Sequence, residues 1–131
     1  QPLISLKEMG RLVSRMKNGE VAVAIHLNSN PVYNLPVDFE YREALKSVDS
    51  VISLVEVENE TSSASNYILP INNQLESWGD TKTRTGFYSF QQPVVAPLYA
   101  TRQIESILLT WIDGDPAFYN DKIYLFKDHD P

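Results

Sequence analysis

The side chains best able to do chemistry in this chain sit where apolar runs stop. Val21 to Leu27 is an apolar run with one histidine, and it empties into Asn28-Ser29-Asn30-Pro31. Val51 to Val57 ends in alternating carboxylates, Glu56, Glu58 and Glu60, followed by Thr61. Amides and hydroxyls beyond a strand end can hold a phosphate or a sugar, and an acidic residue there can hold a ribose hydroxyl, as in dinucleotide folds. The plainer reading of the three carboxylates is a solvated strand end. His26 and His129 are the only histidines, and neither has a second ligand at a spacing typical of zinc sites. His26, within an apolar run, reads as a core or rim histidine. Asp113-Gly114-Asp115 begins like a calcium loop, but Pro116-Ala117-Phe118 brings none of the oxygen ligands that must follow, so it reads as a turn. No Gly-x-Gly-x-x-Gly run follows a strand, no serine sits on a nucleophile elbow and there is no cysteine, so neither a standard pyrophosphate loop nor a catalytic triad can be assembled. Asn59-Glu60-Thr61 fits a glycosylation acceptor, a three-residue pattern that chance supplies readily.

These residues need elements to position them. Ser5-Leu6-Lys7-Glu8 has the form of a capping box, and Leu6, Met9, Leu12, Val13 and Met16 recur at helical spacing until Asn18-Gly19, which predicts an amphipathic helix docked on a sheet. Val21 to Leu27 shows no 3.6-residue repeat and reads as a strand covered on both faces. Val37, Tyr41, Ala44, Leu45 and Val48 predict a second helix over about Asp38 to Ser47. The connection of roughly 23 residues from Leu27 to Val51 suits a βαβ crossover, so the two strands should run parallel. Residues 58–65 have room for a single helical turn, and Asn66 to Leu69 reads as a third strand whose end shares the same rim. From Asn72 to Pro97 the periodicity fades into a long loop or two short strands. Thr101 is then the expected cap of a last helix with face Ile104, Ile107, Leu108, Trp111 and Ile112, closed by Gly114. The tail carries Phe118, Tyr119, Ile123, Tyr124, Leu125 and Phe126 and is expected to pack in part.

Length and composition agree with this outline. The 131 residues, 43% hydrophobic and 21% charged, are those of one α/β domain with an ordinary core. The expected architecture is three-layer and Rossmann-like, with a mostly parallel sheet and helices on both faces. The chain starts at Gln1, which reads as a piece of a longer, multidomain protein. A net charge of −6 repels phosphodiester backbones, so nucleic acid is not an expected partner, and no window is apolar enough for direct membrane insertion.

A longer pattern carries more than any of these pieces. Tyr67 to Gly86 reads YILPINNQLESWGDTKTRTG, preceded by Glu60-Thr61 and, further back, by Asn30-Pro31. Over Gly19 to Leu109 this order resembles the molybdopterin oxidoreductase (dimethyl sulfoxide reductase) family. There a strand leads to an Asn-Pro loop, a second strand to a Glu-Thr turn, a short strand ends in Leu-Pro, and a Glu and a Gly open a long loop beside the cofactor. Asn30-Pro31, Glu60-Thr61, Leu69-Pro70, and Glu76 with Gly79 stand at those places. The resemblance implies that Asn28, Ser29, Asn30, Glu58, Glu60, Thr61, Glu76, Gly79 and Gly86 occupy positions that face a pterin guanine dinucleotide.

The polar part of that pattern is missing. Gly79 and Gly86 keep the family separation, but Asp80, Thr83, Thr85 and Phe87 replace the usual polar sequence, and Asn28-Ser29 stands where a glycine often precedes Asn-Pro. A side chain there blocks the close backbone approach a phosphate needs. Together with Glu76-Ser77-Trp78-Gly79-Asp80, Gln92 to Leu98 and Thr101-Arg102, this looks most like the molybdopterin-like iron–sulfur subunit of alternative complex III, whose relatives are often labelled hydrogenases. The resemblance then implies a domain with no cofactor and no catalysis of its own, in a parent protein that carries iron–sulfur clusters elsewhere. It also implies partners among the parent's other domains and respiratory-complex subunits, at the outer (periplasmic) face of a bacterial inner membrane. The alternative is a domain that holds molybdopterin guanine dinucleotide in an active molybdenum or tungsten enzyme of the formate dehydrogenase type.

Overall fold

A computed structural model describes residues 5–114. The expected packing of the aromatic tail, and His129, lie outside these residues. The chain divides into two compact units, residues 1–69 and 70–131, taken in turn below.

The first unit begins with α1, Leu6–Lys17. Its capping box is formed: Ser5 Oγ accepts from the Glu8 N–H at 3.3 Å, and the Glu8 carboxylate accepts from the Ser5 N–H at 2.9 Å. Asn18 caps the other end and Gly19 takes the left-handed φ of 72° that stops the helix. Of the predicted stripe, Val13 and Met16 are buried, while Leu6 and Leu12 remain exposed.

Strands β1 (Val23–Leu27) and β2 (Ser50–Val55) pair in parallel, with Ala24 opposite Val51 and His26 opposite Ser53. With β3 (Tyr67–Pro70) they form a three-stranded parallel sheet in the order β1-β2-β3. A single 3-10 turn, Ser62–Ala64, joins β2 to β3. The fold is therefore mixed α/β, with the parallel crossover that the sequence implied.

The crossover from β1 to β2 differs from the single helix expected over 38–47. It contains α2 (Pro31–Asn34), a 3-10 turn at Val37–Phe39, and α3 (Tyr41–Leu45). Glu40 breaks the run with a left-handed φ of 51°. The apolar spacing continues through the break, so periodicity does not register it. Tyr41, Ala44 and Leu45 of α3 join Val13 and Met16 of α1 and Val51 of β2 in one buried cluster.

That cluster corrects the expectation of a strand covered on both faces. Period-two alternation puts Ala24 and His26 on the face beneath the helices, and Val23, Ile25 and Leu27 on the other. The latter three are 52%, 44% and 44% exposed. In the first unit α1 and α3 pack on the same face, so helices on both faces are not what its described residues form. A run of valines and isoleucines interrupted only by alanine and histidine looks the same whether one face is covered or two.

In the second unit the stretch over 72–97, expected as a long loop or two short strands, holds a 3-10 turn at Gln74–Glu76 and an antiparallel hairpin of β4 (Gly79–Arg84) and β5 (Phe87–Gln91). Asp80 pairs with Phe90 and Lys82 with Tyr88, and an irregularity lies between Lys82 and Arg84. Ile71 bridges to Arg102. Helix α4 spans Ile104–Asp113, with Gln103 rather than Thr101 at its cap and Gly114 closing it at φ 70°. Ile107 is buried on its inner side, whereas Ile112, expected on that face, is 82% exposed. Among the described residues, no helix is long and apolar enough to cross a membrane.

Candidate functional site

The loops that follow β1 and β2 meet at one end of the sheet. Asn28 has φ 41°, a left-handed conformation that asparagine tolerates better than most residues, and its N–H donates to the Leu54 carbonyl at 2.8 Å. This extends the ladder by one bond and then turns the chain toward Asn30.

Asn30 closes the gap between the loops. Its Nδ2 donates to Glu60 Oε2 at 2.6 Å. Its Oδ1 accepts from Thr61 Oγ1 at 2.8 Å and from the Thr61 N–H at 3.2 Å. Thr61 Oγ1 in turn accepts from the Val32 N–H at 3.0 Å, at the start of α2. Thr61 is fully buried. Asn59 holds the second loop in shape, its Oδ1 accepting from the N–H groups of Thr61 at 3.0 Å and Ser62 at 2.9 Å. The Asn59-Glu60-Thr61 pattern is thus used as a turn, with its asparagine oxygen committed to the backbone and its threonine buried.

The electrostatics of this rim are acidic. The hydrogen bond from Asn30 is the largest influence holding the Glu60 carboxyl below its usual range, and the loop backbone adds to it, so Glu60 is ionised at neutral pH. Glu56 and Glu58 are exposed beside it in sequence. Ser29 and Glu58 take no part in the Asn30–Thr61 contacts. No nucleophile with an adjacent base is assembled here, and among the described residues no group of three or more His, Asp or Glu side chains is placed to hold a metal ion.

The remaining sequence-derived positions lie in the second unit. Glu76 is half-buried and clamps its own loop: Oε2 accepts from the Asn73 N–H at 3.0 Å and Oε1 from the Leu98 N–H at 3.0 Å. Asn73 Oδ1 accepts from the Leu75 N–H at 2.9 Å, and Asn73 and Glu76 form a capping box around the short turn. Gly79 opens β4, where an added Cβ would stand 3.8 Å from Gln91 Cβ, an ordinary contact. Gly86 occupies the hairpin turn at φ 82°, with open space around it. A turn requires Gly86, and no close backbone approach requires Gly79.

Two polar pairs escaped the sequence reading. His26 Nε2 lies 2.9 Å from Tyr41 Oη in the buried layer between β1 and α3. Ser53 Oγ lies 2.7 Å from Ser65 Oγ. The Asx turn at Asn59 had a readable signal in Asn-x-Thr-Ser, whereas the two pairs join residues 12 or more apart that no local pattern links.

Fold and site together define a mixed α/β protein with a parallel three-stranded unit and a hydrogen-bonded polar rim at its strand ends. Compared with protein-family models and with curated proteins, the chain matches none.

Proposed function

We propose that this chain is a molybdopterin-oxidoreductase-like domain acting as a scaffold in a respiratory electron-transfer subunit, without a molybdenum cofactor of its own. The proposal rests on the sequence resemblance over Gly19 to Leu109 and on one structural observation. Asn30, Glu60 and Thr61, three of the positions that would face a dinucleotide, spend their hydrogen-bonding groups on one another. Both lone pairs of Asn30 Oδ1 are used by Thr61, and the Thr61 hydroxyl both donates and accepts within the protein. A ligand phosphate drawing on Asn30 or Thr61 would have to break these bonds and sit beside the ionised Glu60. Glu76 supports the same reading, because its carboxylate caps a turn instead of waiting for a ligand. In this reading the domain supplies surface and shape to neighbouring domains and subunits, and electrons travel through clusters elsewhere in the parent.

The test is elemental. The full parent protein, purified from a host that makes molybdenum and tungsten cofactors, is assayed for both metals by mass spectrometry and for pterin by fluorescence after oxidation. Neither metal nor pterin above a tenth of stoichiometry is expected. Stoichiometric metal with pterin would remove the scaffold reading in favour of an active bis-pterin enzyme.

A further inference from the structure

His26 and Tyr41 bracket residues 27–40, the segment that carries Asn30 to the rim. Their side chains meet at 2.9 Å, with the rings edge to face at 75° and 6.0 Å between centroids. His26 is only 6% exposed and Tyr41 9%. The contact ties the two ends of the segment together at its base, while Asn30 and Val32 tie its middle to Thr61.

Among the described residues no carboxylate pairs with this histidine. On the same face β2 presents Val51, Ser53 and Val55, α3 presents Tyr41, Ala44 and Leu45, and α1 presents Val13 and Met16. Tyr41 is the only one of these that titrates. The carboxylates nearest to the pair in sequence lie at the surface: Glu20 pairs with Arg15, Glu40 with Lys17 and Glu43 with Lys46, and Asp38 is exposed. Among the described residues His26 Nδ1 is buried without a partner at full hydrogen-bond geometry, and the weaker hydrogen-bonding influence of the Ile52 backbone favours the charged ring.

We propose that His26 and Tyr41 form an acid-released latch: a proton on the imidazole is not accommodated in the closed core, so acid frees residues 27–40 and with them the Asn30 rim. The proposal does not depend on the scaffold reading, since it concerns only how the segment is held. Burial, the larger influence, lowers the His26 pKa below its ordinary 6.5, and the Ile52 carbonyl only opposes this. The closed form binds fewer protons than the open form, so the latch is at full strength above about pH 6.5 and weakens as pH falls, until the closed-state pKa is reached. One proton taken up near 6.5 on opening raises the opening equilibrium by at most about eightfold between pH 7.0 and pH 5.5.

Hydrogen exchange on the intact chain tests this. After correction for intrinsic rates, amides in 28–40 should open several-fold more often at pH 5.5 than at pH 7.0, while amides in α4 should not change. His26→Gln keeps a polar group but cannot take a proton, and should flatten this dependence. Tyr41→Phe should raise opening at both pH values and keep the slope. The imidazole signals of wild type and His26→Gln identify His26, whose titration is then followed by NMR even where a variant folds poorly. Opening that ignores pH, opening that rises equally in a folded His26→Gln, or an imidazole that titrates at or above 6.5 would each overturn the latch.

Discussion

Replacing Asn30 by alanine removes the acceptor for two donors of Thr61 and the donor to Glu60 in one step. The Thr61 N–H retains Asn59 Oδ1 at 3.0 Å, so the principal loss falls on the Thr61 hydroxyl, which is fully buried and cannot turn to water. A buried polar group left without a partner costs about 1–3 kcal/mol. The Glu60 contribution is screened, because that carboxylate is exposed. We therefore expect Asn30→Ala to destabilise the first unit by about 2 kcal/mol, or roughly a thirtyfold rise in opening. Thr61→Val removes the hydroxyl at nearly constant volume, leaving Asn30 Oδ1 and the Val32 N–H each short of a bond. The double variant should cost less than the sum of the singles by about 1 kcal/mol, since neither partner is then left facing an absent one. Both tryptophans, Trp78 and Trp111, lie in the second unit, so fluorescence would follow the wrong part of the chain. Exchange of the β1 and β2 amides, including the Asn28 N–H bonded to Leu54, reports on the right one. Additive costs in the cycle, or a cost below a few tenths of a kcal/mol for Asn30→Ala, would show that the two loops do not depend on each other.

Three further outcomes follow from single features. Gly86→Ala should destabilise the hairpin by about 1–2 kcal/mol because its φ of 82° strains any side chain, whereas Gly79→Ala should be nearly neutral; β4 and β5 amide exchange in the two variants measures the contrast. Met16→Ala should cost about 2–4 kcal/mol, since Met16 is 1% exposed at the centre of the helix-facing cluster, and chemical denaturation followed by circular dichroism measures it. The Glu60 carboxyl is lowered by Asn30, so its share of rim stability holds above the ordinary carboxylate value of 4.5 and fades as pH falls through the lowered one; Glu60→Gln should remove that acid limb from an exchange-versus-pH profile and leave the dependence between pH 7.0 and 5.5 intact.

What could be read from the sequence was local or strongly periodic. Ser5 and Glu8 announced a cap and made one, because a capping box involves only residues three apart. The parallel pairing of β1 with β2 followed from connection length. The failures share a cause: they depend on what packs from a distance. β1 was expected to be doubly covered because alternation is invisible when both sets of positions are apolar. The second helix broke at Glu40, whose left-handed turn leaves the apolar spacing untouched, and whose carboxylate meets Lys17, 23 residues away. Of the nine positions taken from the resemblance, six lie in the first unit, which brings Asn30, Glu60 and Thr61 into direct contact. Residue identity gave their location. It could not reveal that they bond to each other.

That distinction bears on how a rim at strand ends is judged. A site prepared for a ligand keeps donors and acceptors whose partners arrive with the ligand, and an unfilled buried polar atom there is its trace. At this rim the buried hydroxyl and both asparagine lone pairs are already matched, and the remaining carboxylate is ionised. Among the described residues, the buried side-chain atoms that lack partners are His26 Nδ1, in the core beneath α3, and Asn72 Oδ1, in the turn closed by Glu76, itself one of the positions named by the resemblance. The strain at Asn28 has a structural use as well, since the left-handed residue still donates to Leu54 while redirecting the chain. Rim residues of this kind hold two loops together through the bonds that Asn30 makes to Glu60 and Thr61.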